Sequence, residues 1–115
     1  MEITRHNKGP RMSQIVQYGD TVYLAGQVSD KPEGDIGVQT RDVLGKIERL
    51  LQQAGSSKSK ILATTIYLAD MRDFATMNEA WDSWVDPENT PARATVEARL
   101  ARPNLRVEMM VIAAR

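Results

Sequence analysis

The chain has 115 residues, with 15 basic and 15 acidic side chains and no net formal charge. That length suits one domain, residues 1–115, with a single core, and is short for an active site enclosed within one subunit. Zero net charge gives no general attraction to nucleic acid or an anionic membrane, and with no cysteine and His6 as the only histidine, thiol nucleophiles, disulfides, thiolate metal sites and conventional histidine catalysis lack their parts.

Ile3 to Asn7 reads as a first short strand, broken by Gly9-Pro10 before a second run from Ser13 to Tyr18. Gly19-Asp20 suits a tight primed turn, which makes Ser13–Tyr18 and Thr21–Val28 a β-hairpin. Lys31-Pro32-Glu33-Gly34 is a loop. Beyond it Ile36, Thr40, Val43, Leu44, Ile47, Leu50, Leu51 and Ala54 recur at helical spacing, with Gly55 placed as a stop. Lys60 to Ala69 is rich in Ile, Thr and Tyr and predicts a strand. Asp70 then caps a second helix whose apolar stripe is Phe74, Met77, Trp81 and Val85. Asp86 to Pro91 ends that helix and leads into a strand around Arg93, and Arg102-Pro103-Asn104 turns the chain into a last apolar strand, Leu105 to Ala114. The order βββαβαββ predicts an α+β fold with two helices covering one face of a sheet. The first eight residues have no apolar signal-peptide core and no later run spans a bilayer, so the expected location is cytoplasmic.

Four places do not fit a bland core. In Thr90-Pro91-Ala92-Arg93-Ala94-Thr95-Val96-Glu97, alternation puts Ala92, Ala94, Val96 and Ala98 on one face and Arg93, Thr95, Glu97 and Arg99 on the other. Arg93 is therefore expected opposite the packed face, where small neighbours leave room for a carboxylate to meet its planar fork. Asn78 shares a helical face with Met77 and Trp81, and either bonds a nearby loop backbone or serves a pocket. Glu108 interrupts an apolar strand, so it is expected either to pair, with Arg93 or Arg106, or to have its pKa raised by desolvation; either state suits a group that positions or activates water. Gly26, inside a strand, marks tight packing, a bulge, or the close approach of another backbone or a ligand. Trp81 and Trp84 read as packing residues of the second helix.

Taken in order, Tyr23-Leu24-Ala25-Gly26-Gln27-Val28, Gln39-Thr40-Arg41, Leu51-Gln52-Gln53-Ala54-Gly55, Asp73-Phe74-Ala75-Thr76-Met77-Asn78, Pro91-Ala92-Arg93, Val96-Glu97 and Val107-Glu108 resemble the RidA/YjgF family of enamine/imine deaminases. The run Thr65 to Asp70 with Asn78 to Val85 looks most like a bacterial subgroup distinct from the founding branch. The resemblance implies a chorismate-mutase-like fold, a homotrimer and three clefts between subunits. It implies that Arg93 clamps the substrate carboxylate, that Gly26 lines the pocket, that Glu108 acts on the hydrolytic water and that Asn78 lies in the pocket region. Thr95 stands where the family often has cysteine, keeping the backbone amide without the thiol. Met12 stands for a family tyrosine and Ala25 for a family serine, departures that bear on the preferred side chain of the substrate.

The implied reaction is hydrolysis of a 2-imino acid, such as 2-iminobutanoate or 2-iminopropanoate, to a 2-keto acid and ammonium. Such imines hydrolyse readily unaided, so an anchored substrate and one oriented water suffice without metal or cofactor. Two alternatives stand beside it. One is an endoribonuclease or translation-inhibitor activity, for which six aromatics and a neutral chain supply neither a phosphate track nor a stacking platform. The other is a non-catalytic trimer that binds small carboxylates.

Overall fold

Period-two alternation builds one mixed sheet, and two amphipathic helices cover one side of it. The computed structural model describes residues 1–115. Strands β1 (Ile3–Lys8), β2 (Ser13–Tyr18), β3 (Thr21–Leu24) and β4 (Gln27–Val28) precede helix α1 (Ile36–Gln53); β5 (Ile61–Leu68), helix α2 (Phe74–Trp84), β6 (Ala92–Glu97) and β7 (Val107–Ala114) follow. The sheet order is β1-β2-β3-β7-β5-β6, with β4 paired to β7 beside β3. All neighbours are antiparallel except β5 and β6, whose crossover carries α2.

Each end of α1 is closed by its own sequence. The Asp35 carboxylate accepts the Val38 N–H at 2.9 Å. At the other end Gly55 takes φ 78°, and the N–H groups of Ser56 and Gly55 donate to the carbonyls of Leu51 and Gln52 at 2.8 and 3.1 Å, a Schellman closure that needs a residue tolerant of positive φ. Between them Val43, Leu44, Ile47 and Leu51 face the sheet, where they meet Ile15, Val22, Leu24, Ile66, Val107, Met109 and Val111 in one core.

Three expectations are corrected. The long third strand divides at Ala25-Gly26, where the Ala25 N–H turns to the Gln14 carbonyl and β4 resumes pairing on β7. Asp70 caps a single 3₁₀ turn, Met71–Asp73, that leads into α2, rather than the α-helix itself. Within α2 the buried residues are Met77, Ala80 and Trp81. Phe74, at the first position, is 40% exposed, and Val85 lies just past the helix, packed against the core.

The β6 faces are reversed from expectation. Arg93 pairs with Thr64 and Thr95 with Ile66, so both lie on the helix-covered side with buried Thr64 and Ile66. Ala92, Ala94 and Val96 are exposed on the uncovered side. Alternation says which residues share a face; the pairing with β5 decides which face is covered. Because β6 ends at Glu97, Arg99 belongs to a loop and does not continue the row of Arg93.

Candidate functional site

Arg93 is half-buried at the edge strand, with its guanidinium carbon 5.2 Å from the centre of the Trp81 ring. That distance suits a cation–π contact. No carboxylate of the chain pairs with it: the ion pairs are Lys46–Asp30, Arg72–Asp70 and Arg106–Asp73. Three polar atoms buried without a hydrogen-bond partner lie on the same side of the sheet, Oγ1 of Thr64, Oγ1 of Thr95 and Oδ1 of Asn78. Asn78 is one helical turn before Trp81. Its oxygen does not bond a loop backbone, as one sequence reading had it. Isolated groups of this kind cost about 1–3 kcal/mol each, and all three share the helix-covered side of the sheet with the unpaired arginine.

Gly26 and Glu108 form a second group. β4 and β7 pair so that Val28 meets Glu108 and Gln27 meets Met109, and the break at Ala25-Gly26 lays the glycine on the Glu108 carboxylate. A Cβ at position 26 would collide with Oε2 of Glu108. What packs against this glycine within the chain is a side chain, the Glu108 carboxylate, and not another backbone. Glu108 pairs with neither Arg93 nor Arg106, the partners expected for it; Arg106 reaches Asp73 instead, at 3.2 Å. Gly26, Glu108, Tyr67 and Met110 line a depression of about 310 Å³ with residues 98–101.

Within one chain the two groups stand on opposite sides of the sheet. Glu108 pairs with Tyr67 on the side away from the helices, whereas Arg93 is beneath Trp81 on the helix side. Of the other expected site residues, Thr95 lies with Arg93, and Ala25 donates its N–H to Gln14 and accepts from the Gln27 amide at 3.0 Å. Met12 is on the β1–β2 turn, 53% exposed, apart from the Glu108 depression.

Sequence reasoning missed Tyr67, Met110 and the segment Ala98-Arg99-Leu100-Ala101. Tyr67 and Met110 become visible only through strand register. Arg99 was hidden because a continued β6 alternation placed it beside Arg93. A second, larger hollow of about 650 Å³ shares residues 98–101 and adds Ala69, Arg102 and Leu105. Acidic groups around it are already engaged: the Glu97 carboxylate accepts the Met71 N–H at 2.8 Å, and the hydrogen-bonded Arg72 side chain holds the Asp70 carboxyl at about 2, below the usual range. No helix is long and apolar enough to cross a membrane.

The fold and these groups define a small α+β domain with one naked sheet face, an unpaired arginine on the edge strand and a carboxylate seated on a glycine, its polar groups divided between two faces. The family model described as endoribonuclease L-PSP matches residues 6–115. A RutC family protein of Haemophilus ducreyi is 46% identical over 112 residues, covering 97% of this chain and 96% of its own. A solved member of the YjgF protein family from Neisseria meningitidis superposes with TM-score 0.97 at 45% identity, over 100% of this chain and 96% of its own. An uncharacterized Pseudomonas aeruginosa protein gives TM-score 0.96 at 44% identity over 99% of both chains. The chain belongs to the RidA/YjgF family, which this model and these relatives describe under the L-PSP, RutC and YjgF names.

Proposed function

We propose that this protein hydrolyses 2-imino acids to 2-keto acids and ammonium. The observation that carries the reading is Arg93: a half-buried guanidinium over Trp81, with no acidic partner in its own chain. A substrate carboxylate supplies the missing charge through two parallel hydrogen bonds. Glu108 orients a water and takes up its proton as the oxygen adds to the imine carbon. The imine nitrogen becomes the amine of a tetrahedral carbinolamine, receives a proton, and leaves as ammonia while the C–O bond becomes the keto group. Backbone groups near Gly26 and Thr95 complete the pocket.

Because Arg93 and Glu108 occupy opposite faces of one sheet, the working site is assembled between subunits of a homotrimer, in the chorismate-mutase-like arrangement. The uncovered face supports this association. It carries Tyr18, Tyr23, Val96 and Met110, each at least 40% exposed, a row of apolar side chains of the kind that ordinarily faces a partner.

The test is keto-acid formation from 2-iminobutanoate made in situ by a threonine dehydratase. Arg93→Ala is expected to lower kcat/KM about 10- to 100-fold, the size of a lost charge-assisted pair, and Glu108→Gln to lower kcat about 100-fold. No acceleration by the folded, trimeric protein would overturn the reading. The family model's description raises the endoribonuclease alternative, but no basic track in the chain favours it; RNA binding with a steep salt dependence would. Ligand binding that depends on Arg93 without turnover would make the protein a carboxylate-binding module.

A further inference from the structure

The arginine that shares a cavity with Gly26 and Glu108 within one chain is Arg99. It lines the depression of Glu108, Tyr67 and Met110 and also the larger hollow beyond residues 98–101. Its charge is unanswered. Asp70 is paired with Arg72 at 2.6 Å and Asp73 with Arg106 at 3.2 Å, Glu97 is held by the Met71 N–H, and neither Arg99 nor Arg102 makes an ion pair. Arg99 is thus left unpaired beside Glu108, whose carboxylate is turned into Gly26, while Arg102 lines only the larger hollow.

We propose that the preferred substrate is a 2-imino acid with a second carboxylate, and that Arg99 is the specificity residue receiving it; the proposal rests on the deaminase reading of the Glu108 site. In that reading the 2-carboxylate belongs to Arg93, which comes from the opposite sheet face of a neighbouring subunit. Arg99, on the same chain as Glu108, then meets the distal end of the substrate. A 2-imino monocarboxylate leaves Arg99 unused, whereas a dicarboxylate offers one carboxylate to each arginine. The overall reaction balances as one imino dicarboxylate plus one water giving one keto dicarboxylate plus ammonium. The supplying reaction is two-electron oxidation of the Cα–N bond of an acidic amino acid.

Binding and turnover are measured separately. Titration calorimetry compares 2-oxoglutarate with 2-oxobutanoate on the intact protein, Arg99→Ala and Arg102→Ala. Turnover compares 2-iminosuccinate, made from L-aspartate by an aspartate oxidase with catalase, with 2-iminobutanoate. The intact protein is expected to bind the dicarboxylate at least about tenfold tighter, as one charge-assisted pair supplies, and Arg99→Ala to abolish that ratio. No preference in the intact protein, including no binding of either keto acid, overturns the proposal. So does a ratio that survives Arg99→Ala, or one that Arg102→Ala removes equally, which would show a diffuse field rather than a contact. An Arg99-dependent binding preference without turnover of either imine upholds the dicarboxylate contact and overturns the deaminase reading. Turnover of both imines without the binding preference does the reverse.

Discussion

Gly26 lacks a Cβ where Glu108 already takes up the space. The neighbour in question is the end of a flexible side chain, not backbone, so an added methyl group is accommodated by swinging the carboxylate away. Gly26→Ala is therefore expected to fold with a stability loss of less than about 1 kcal/mol while keto-acid formation falls as far as in Glu108→Gln. Combining the two substitutions should add little, because both remove one function. Additive losses would show that Gly26 acts on the substrate and not through Glu108. The same residue marks the reach of sequence reasoning. A glycine inside a strand reads as a site of close approach from its type alone, but its partner lies more than eighty positions along the chain, and only the β4–β7 register brings the two together.

Among the elements, α1 was legible from its apolar stripe and its Gly55 stop and β6 was not, for a physical reason. Helical period and a glycine stop are local signals, although the Asp35 cap emerged only in the structure. A strand's covered face depends on what pairs with it and what packs above it, here β5 and Trp81. Gln39 shows how α1 in turn sets β7. It is fully buried; its amide donates to the carbonyls of Gly34 and Asn104 at 3.0 Å and its oxygen accepts the Arg106 N–H at 2.9 Å. The last bond lies two residues before Glu108. Gln39→Leu keeps the bulk but strands one buried donor and two acceptors, and is expected to cost about 2–5 kcal/mol. Urea unfolding at fixed protein concentration measures it. An unchanged midpoint would mean that Gln39 does not hold the 104–106 turn.

For the whole molecule, the decisive fact is that the sheet separates the two groups on which the proposed chemistry depends. Arg93 is covered by α2 on one face, and Glu108 opens onto the other beside Tyr67 and Met110. A pocket that uses both must draw them from different chains, and in a cyclic trimer every interface is the same. Arg93→Ala and Glu108→Gln subunits, each expected to be about 10- to 100-fold less active alone, then complement. When the two are unfolded together and refolded as an equal mixture, the interface joining an intact Arg93 from one variant to an intact Glu108 from the other occurs at about one site in four. About a quarter of the unsubstituted activity is expected to return, in particles of three 12.9 kDa chains by sedimentation. Were both residues drawn from the same chain, no mixture would contain a complete site and activity would stay at the level of the separate variants. A charge placed on the naked face, as in Met110→Asp, is expected to dissociate the proposed trimer and abolish turnover although Arg93 and Glu108 remain, since each chain then holds only half of the proposed site.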